Sequence, residues 1–354
     1  MTYYISLRRN YDHQAGAKAP NDIYTLCERR GWAMLSYPCP QKRLSTRVFR
    51  LRRGILLFLF WFSALFRLKP GDLVFYQHPV RYGSKIACRY IRRLQKKQVR
   101  FLALVHDLDT LRYELVYTPG ARTNAFFEDN TLLRQFDAVI CHNERMKAFL
   151  LEKGFPEERL ICLQLFDYLI SSSAVQAGEP SSGIVIAGNL DQNKSGYLYQ
   201  LAQLDLSFPV HLYGVNYTES GKAQNALVYH GSFAPEQLPQ MLAGRFGLVW
   251  DGNSLDTCCG PGGNYLRYNN PHKLSLYLAA GIPVITWCDA AVASFVENNR
   301  IGITVASLRE LPEVLSSVSD EDYSEMKERV KTIQERVIRG DYFNQAVEQA
   351  LKLF

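Results

Sequence analysis

The residues Asn270, Pro271, His272 and Lys273 join a polar loop to an apolar segment with helical spacing. Pro271 stands about where the first turn of a helix would begin, and Gly281 closes the segment. A helix start presents free backbone N–H groups and the positive end of the helix dipole, so this junction is predicted to bind a diphosphate. Lys273 would add a positive charge there. The alternative is an ordinary helix–strand unit with a solvated lysine.

Glycine closely follows several short apolar segments in the second half of the chain. The segments that end in this way are 183–187, 209–213, 226–230 and 247–250. In an open α/β sheet, ligands bind outside the carboxyl ends of the strands, and glycine lets a ligand approach the backbone closely. The second half is therefore predicted to bind its ligand at this edge.

Strand-like and helix-like segments alternate along the whole chain and must position these residues. The predicted strands before residue 170 are 3–7, 72–76, 100–105, 137–141 and 159–164, and the predicted helices are 21–30, 84–97 and 143–153. A Ser-, Gly- and Pro-rich stretch, 171–182, is predicted to be the linker between two domains. After it come strands 183–187, 209–213, 226–230, 247–250 and 283–286, with helices 273–280, 320–339 and 344–352. This alternation predicts parallel sheets covered on both faces.

The net charge of +7 hides an uneven distribution of charge along the 354 residues. Between Arg29 and Arg100 there are 18 Lys and Arg against one acid, Asp72, whereas the rest of the chain has 23 basic and 33 acidic residues. The contents of 47% hydrophobic and 21% charged residues are ordinary for a globular protein and exclude a disordered or fibrous chain. The basic block predicts a surface for an acidic partner.

The uncharged segment 54–66 lies within this basic block. Its 13 residues are too few for a membrane-spanning helix, which needs about 20. One interpretation is a buried core helix; the other is a helix on an anionic membrane surface. The second rests on five aromatic residues, Phe58, Phe60, Trp61, Phe62 and Phe66, which follow a group of arginines and lysines. A third use of the same block is an interface between subunits.

Four stretches in order along the chain resemble the bacterial GT-B glycosyltransferases. They are AGAKAPND at 15–22, HDLDTLR at 106–112, AGNL at 187–190 followed by Lys194 and Ser195, and PHKLSLYLAAGIPVI at 271–285. More narrowly, the chain resembles the group that holds galactofuranosyltransferases and the glucosyltransferases that extend GlcNAc on adhesins. The resemblance implies an α/β fold of the GT-B type, with two Rossmann-like domains facing a central cleft. The acceptor domain would be 1–170, the donor domain 183–339, and the last helix, within 340–354, would pack back on the first domain.

The resemblance also implies a site for a UDP-sugar donor in the second domain. Its residues would be Gly188 and Asn189 near the diphosphate, Lys194 as a basic phosphate contact, Tyr213 beside the nucleobase, Asp251 on the donor side, and Asn270, His272 and Lys273 as the main diphosphate grip. The paired glutamates of many retaining GT-B enzymes are missing from this sequence, which favours inversion and a β product. The resemblance also implies that no metal is essential, and no cofactor is expected because the UDP-sugar is a substrate. The eight cysteines show no zinc-type spacing.

Inverting transfer needs a base that deprotonates the acceptor hydroxyl, and two clusters after predicted strands could supply it. His106, Asp107 and Asp109 follow the strand 100–105, and Asp12 and His13 follow the first strand. We favour Asp107 or Asp109 as the base, with His106 orienting or contacting the substrate. The alternatives are a structural turn and cap for the first cluster and a solvated loop for the second.

The acceptor is expected to contact Lys18, Gln77 and His78, although Gln77 and His78 would also suit a plain turn. The predicted function is transfer of a hexose, with galactofuranose as one option, from a UDP-sugar to a glycan in surface polysaccharide synthesis. The acceptor could be lipid-linked, and the group implies a homo-oligomer. The alternatives are a non-catalytic GT-B-like partner and a basic binding module, but no nucleic-acid-binding motif is present. Without a signal-peptide pattern, the protein is expected in the cytoplasm, or peripherally on the inner face of the membrane.

Overall fold

The computed structural model describes residues 1–7, 17–38, 46–114, 123–170, 182–201, 203–219 and 226–354. Its first sheet contains six parallel strands: β1 (Thr2–Ser6), β2 (Ala33–Ser36), β3 (Leu73–His78), β4 (Arg100–Val105), β5 (Ala138–Cys141) and β6 (Leu160–Cys162). The helices between them are α1 (Lys18–Arg29), α2 (Thr46–Arg67), α3 (Ser84–Gln95), α4 (Asp109–Arg112), α5 (Thr123–Phe127) and α6 (Glu144–Glu152). A π-helical turn, Glu128–Leu132, follows α5. The strands are apolar along their length because helices cover both faces of the sheet.

The second sheet also has six parallel strands: β7 (Ile184–Asn189), β8 (Val210–Val215), β9 (Leu227–Tyr229), β10 (Phe246–Val249), β11 (Val284–Trp287) and β12 (Gly302–Val305). Its helices are α7 (Gly196–Leu201), α8 (Leu238–Met241), α9 (Gly260–Tyr265), α10 (His272–Ala279), α11 (Ala293–Asn299), α12 (Leu311–Ser317), α13 (Asp320–Arg339) and α14 (Asp341–Leu351). One hydrophobic core, which includes Trp250, Tyr277 and Trp287, encloses this sheet.

The strand order of each sheet reverses direction at one point. The first sheet runs β2-β1-β3-β4-β5-β6 and the second runs β12-β11-β10-β7-β8-β9. The reversals lie between β1 and β3 and between β7 and β10. In open α/β sheets ligands bind at such switch points, outside the carboxyl ends of the strands. The loops after β3, β7 and β10 are therefore the places to look for a site, while the loop after β1 falls largely outside the described residues.

The last helix, α14, packs on the first sheet although the preceding helix, α13, packs on the second. Phe343, Ala346 and Val347 of α14 join the core formed by β1, β3, β4 and β5. Gly340 joins the two helices with a φ of 91°, and a Cβ at this position would lie 2.2 Å from a side-chain carbon of Leu26. Glycine is needed here because the chain turns in the left-handed region and passes close to α1.

Helix α2 is longer than the segment 54–66 and divides into two faces. Leu57, Trp61 and Ala64 are buried in the core of the first domain, with exposures of 1–3%. Burial of each large side chain of this face stabilises the domain by about 1.5–3 kcal/mol. The core interpretation of this segment therefore holds for one face of the helix, and the opposite face is exposed. No helix among the described residues is both long enough and apolar enough to cross a membrane.

Candidate active site

The switch point of the second sheet presents an open stretch of backbone. Gly188, at the end of β7, has a φ of 138°, and a Cβ built on it would meet no atom within 4 Å. Most residues avoid this φ, and the space beside the glycine is free for a ligand. The side chain of Asn189 accepts hydrogen bonds from the N–H of Asp191 at 3.0 Å and from Asn216 at 3.0 Å, which fixes the turn that follows.

Two lysines and an aspartate gather around this opening. Lys273, in the first turn of α10, donates to the carbonyl oxygen of Trp250 at 2.8 Å and to Asp251 Oδ1 at 3.1 Å. Lys194 reaches the solvent of the cleft, yet desolvation by the surrounding protein lowers its pKa, and repulsion from Lys273 adds to this shift while Asp251 opposes it. An anion with two charges would relieve the repulsion between the lysines.

Charged residues of the first domain face these lysines from the loop after β4. The charges of Asp107 and Arg112 contribute to the pKa of Lys194, and the same loop touches the second domain where the N–H of Leu108 donates to the hydroxyl of Tyr265 at 3.1 Å. Asp107 Oδ2 pairs with Arg112 and lies 3.5 Å from Arg81. Burial raises the pKa of Asp107, and the two arginines oppose that shift. A carboxylate with a raised pKa and a neighbouring cation has the properties of a general base.

Asp109 has a different environment although it lies two residues away. Both its oxygens accept hydrogen bonds from Arg81, Oδ2 at 2.8 Å and Oδ1 at 2.9 Å, and its exposure is 7%. Arg81 is held in the left-handed region, with a φ of 67°, and its N–H donates to Glu128 at 3.1 Å. This fork-like pair orders the loop after β3 against α4. The structure therefore favours Asp107 over Asp109 as the base.

His106 directly precedes Asp107, and His78 ends the neighbouring strand β3 opposite Val105. Burial lowers the pKa of His106 to about 3, and its ring stacks on Phe166 at 5.4 Å. Its Nε2 contacts the side-chain oxygen of Gln77. The side-chain N–H of Gln77 donates to the carbonyl oxygen of Pro20 at 3.2 Å. His78 is fully buried and pairs with Asp129 at 2.9 Å. His106 is partly exposed and can contact an acceptor, whereas the predicted acceptor contacts Gln77 and His78 are both buried, and Gln77 is bonded at both ends of its amide.

Asn270 bridges the two domains rather than facing the cleft. Its side chain donates to the carbonyl oxygen of His142 at 2.8 Å and accepts from Asn143 at 2.7 Å, and its exposure is 3%. Its backbone N–H donates to His142 Nδ1 at 2.8 Å. Both ends of the amide are thus paired with the first domain. Its predicted contact with a diphosphate would require these bonds to break.

Two further predicted contacts are buried in the protein. Lys18 has an exposure of 4% and donates to Asp22 at 2.6 Å and to the carbonyl oxygen of Leu169 at 2.7 Å. Tyr213 has an exposure of 1%, and its ring stacks on His230 at 4.6 Å. In this structure neither side chain is available to a substrate. Lys18 ties α1 to the segment that joins the domains, and Tyr213 belongs to the core under β8.

His272, the first residue of α10, packs against the rings of Phe166 and Tyr168. Its ring stacks on Tyr168 at 5.0 Å, burial lowers its pKa to about 4, and its Nε2 is buried without a hydrogen-bond partner among the described residues. It therefore packs at the base of α10 as a neutral ring. Asp12 and His13 lie outside the described residues, so their role stays a prediction.

The sequence reasoning missed three residues that the fold brings to the site. Arg112 and Arg81 hold the carboxylates of the first domain, and Tyr265 of α9 inserts into the first domain's core, where its hydroxyl accepts from Leu108 N–H at 3.1 Å. Arg112 pairs with Asp107, and its place as the basic residue that closes the acidic stretch HDLDTLR is the signal that could have found it. Nothing in the local sequence marks Arg81 or Tyr265.

Comparisons with known proteins decide the family. The model of the glucosyltransferase 3-like N-terminal domain matches residues 2–165, and that of the C-terminal domain matches residues 184–350. Beta-1,6-galactofuranosyltransferase WbbI of Escherichia coli (strain K12) is 34% identical over 291 residues, which cover 80% of each chain. The chain belongs to the glucosyltransferase 3-like family. Another relative is glucosyltransferase 3 of Streptococcus gordonii, 26% identical over 337 residues that cover 93% of this chain and 91% of that one.

Solved structures agree with the fold expected for a glucosyltransferase 3-like protein. Sucrose-phosphate synthase of Thermosynechococcus elongatus superposes with a TM-score of 0.60 at 16% identity, covering 100% of this chain and 99% of that one. The apo form of the lipopolysaccharide outer core galactosyltransferase WaaB gives 0.58 at 14% identity, covering 98% of both chains. The fold is GT-B, and the protein is a glycosyltransferase, which confirms both predictions.

A metal site was not expected in this glucosyltransferase 3-like protein. Within the described residues, no group of three or more His, Cys, Asp or Glu side chains is arranged to hold a metal ion. The independence of the reaction from metal stays a prediction.

Proposed function

We propose that this enzyme transfers a hexose from a UDP-sugar to a hydroxyl of a glycan acceptor, with inversion, and that the hexose is galactofuranose. The product would contribute to a surface polysaccharide. The observation that carries the proposal is the position of Lys273, bonded to Asp251 at 3.1 Å at the switch point of the second sheet, while the loop of Asp107 touches the second domain through the bond from Leu108 to Tyr265. The choice of sugar is supported by the galactofuranosyltransferase that is 34% identical to this chain.

The proposed reaction divides the work between the two domains. The acceptor oxygen attacks C1 of the sugar, the bond between C1 and the diphosphate oxygen breaks, and UDP leaves. Asp107 takes the proton of the acceptor hydroxyl. Lys194, Lys273 and the N–H groups at the start of α10 would stabilise the charge that develops on the leaving diphosphate. Gly188 would let the diphosphate approach the backbone of β7.

Binding of UDP to the Lys273→Ala variant tests the donor site. We expect about a tenfold or greater loss of UDP affinity by calorimetry, because a hydrogen bond to a charged group is lost and Asp251 is left to repel the phosphates. Lys327→Ala is a matched control: this lysine donates to the carbonyl oxygen of Gly281, beyond the other end of α10, at 2.8 Å. Unchanged UDP affinity in Lys273→Ala would place the donor elsewhere.

A panel of UDP-sugars tests the substrate. UDP-galactofuranose, UDP-galactopyranose and UDP-glucose are offered with glycan acceptors, products are detected by mass, and the new linkage is read by anomeric NMR. We expect transfer from UDP-galactofuranose with a β linkage. Transfer from UDP-glucose alone would overturn the choice of sugar, and an α product would overturn inversion. UDP binding without any transfer would favour a non-catalytic role.

A further inference from the structure

The solvent-facing side of α2 carries a continuous row of exposed apolar side chains, here called the α2 stripe. Its members are Leu51, Ile55, Phe58, Leu59, Phe62 and Phe66, with exposures from 44% to 75%. They recur every three or four residues and so lie on one face of the helix. Over 15 residues this face extends about 22 Å, since an α-helix rises 1.5 Å per residue. The helix thus carries two apolar faces, and the core uses only one.

The aromatic members of the stripe form a ridge. The rings of Phe58 and Phe62 stack with centroids 5.8 Å apart, and those of Phe62 and Phe66 meet edge to face at 5.2 Å. A shallow groove of about 320 Å³ lies beside Leu51 and Ile55 at the other end of the stripe. Apolar patches of this kind on a globular protein mark a surface that binds something.

Basic residues border the stripe on α2 and on the adjoining helix α3. Exposed basic side chains of this border are Arg52, Arg67, Lys85, Arg89, Arg92, Arg93 and Lys96. The rings of Phe58 and Tyr90 of α3 meet edge to face with centroids 6.2 Å apart, so the two helices form one surface. The single acid between residues 29 and 100, Asp72, is 5% exposed and is paired with the N-terminal amine at 2.9 Å. Neither α2 nor α3 contains an acidic residue.

This arrangement of charge distinguishes the possible occupants. A second copy of the chain, packed symmetrically on the stripe, would bring two basic borders together without acids to neutralise them. An anionic bilayer has the opposite charge, and its boundary between headgroups and acyl chains accepts aromatic and aliphatic side chains. We propose that the α2 stripe docks this protein on the surface of an anionic lipid bilayer, with the ridge in the interface and the basic border against the headgroups.

The same geometry orients the site toward the bilayer. Helix α2 connects the parallel strands β2 and β3, so it runs antiparallel to them and begins at their carboxyl edge. At this end Arg53 lies over the ring of Tyr82 at 5.5 Å, next to Arg81 of the candidate active site. A protein docked through the stripe would hold the acceptor side of its cleft close to the membrane surface.

Vesicle sedimentation tests the apolar part of the proposal. The full chain is mixed at low ionic strength with vesicles of phosphatidylcholine and phosphatidylglycerol in equal parts. We expect it to sediment with them, and we expect Phe62→Ser/Phe66→Ser to weaken binding by roughly tenfold or more, because two aromatic rings leave the interface. The matched control is Leu353→Ser/Phe354→Ser. It removes two apolar side chains of similar exposure, 47% and 39%, that lie at the C-terminus and outside the α2 stripe.

Charge reversal and salt test the electrostatic part. Arg89→Glu should weaken binding more than Lys331→Glu, an equal change of net charge at an exposed position of α13, and added salt should release the wild type. Equal retention by pure phosphatidylcholine vesicles, or no retention by the anionic ones, would overturn the proposal. So would a size-exclusion experiment in which Phe62→Ser/Phe66→Ser converts an oligomer to a monomer, since the stripe would then be a subunit interface. UDP affinity, measured on the same variants, should equal that of the wild type, which separates this result from the donor site.

Discussion

At the scale of single residues, the structure separates two aspartates that the sequence left equivalent. Asp107 has a raised pKa and a side chain that is 18% exposed, whereas Asp109 is bound on both oxygens by Arg81 and its side chain is 9% exposed. We expect Asp107→Asn to lower kcat by about 10²–10⁴-fold with little change in UDP affinity, because the proton acceptor is lost. Steady-state kinetics with the identified donor measure this.

Asp109→Asn is the matched comparison, two residues along the chain. It should cost about 1–2 kcal/mol of unfolding free energy, since one of the two bonds to Arg81 is lost, and should leave kcat within a few-fold. If both variants lose kcat equally, the two aspartates act as one unit and the distinction fails. If Asp109→Asn alone loses kcat, Asp109 is the base.

Residue types and spacing predicted which loops would carry the site, but not which side chains are already engaged elsewhere. Lys273 bonds to Asp251 after β10, Lys194 follows the end of β7, and the donor role of both lysines stays a prediction. Lys18 and Asn270 lie in equally polar stretches, yet each pairs with groups more than 100 residues away. The partner of Lys18 lies at the end of the first domain and that of Asn270 lies in the other domain, so no local pattern could reveal that these side chains are already bonded.

At the scale of elements, Asp167 is the tie that holds the last helix on the first domain. Its oxygens accept from the backbone N–H groups of Tyr342 at 3.2 Å and Phe343 at 2.7 Å, at the start of α14. Asp167→Ala should cost about 1–3 kcal/mol, because two buried donors lose their partner. Chemical unfolding measures the loss, and hydrogen exchange of 341–351 should quicken.

The control for this tie is Asp320→Ala. Asp320 stands in the first turn of α13 and pairs with Arg245, but its side chain is 99% exposed, so a loss well under about 1 kcal/mol is expected. If the two variants lose equal stability, α14 is held by its apolar contacts with the sheet and not by Asp167.

Most elements were predictable because their signals are local. Strand β4 occurs over the range expected, and helix α13 is bounded by the serine cap and the glycine that its sequence shows. Strand β2, Ala33–Ser36, was missed because it is short and only one of its residues is buried. Helix α2 begins eight residues earlier than the apolar segment, and its early residues include the exposed Arg50 and Arg52. Helix patterns based on apolar residues do not register such turns.

At the scale of the whole molecule, three histidines and one phenylalanine form the joint between the domains. The ring of Phe166 packs against three imidazoles, with centroid distances of 5.4 Å to His106, 5.0 Å to His142 and 6.3 Å to His272. His106 and His142 belong to the first domain and His272 to the second. Neither half of the sequence predicts this cluster, because it exists only when both domains are folded and in contact.

This joint should be sensitive to acid. Burial lowers the pKa of His106 to about 3 and those of His142 and His272 to about 4, so all three are neutral in the folded state. The unfolded chain binds these protons near pH 6.5. Stability from this source is therefore complete above pH 6.5 and is lost as the pH falls toward 4. Asp22 and Asp167, whose pKa values burial raises to about 6 and about 8, act in the opposite direction.

The His272→Phe variant isolates one histidine from these opposing groups. Phenylalanine keeps the stacking on Tyr168 and cannot titrate. The variant also loses the hydrogen bond between the imidazole and the Asp167 carbonyl, which lowers its unfolding free energy by an amount that does not change with pH above 6.5. The unfolding free energies of wild type and variant, measured in urea at pH 7.5, 6 and 5, should converge or cross as the pH falls. The difference between the two unfolding free energies should change by on the order of 1.4 kcal/mol per pH unit below 6.5, because the unfolded wild type binds one more proton than its folded state. A difference that stays constant from pH 7.5 to 5 would mean that His272 is not held neutral in the joint.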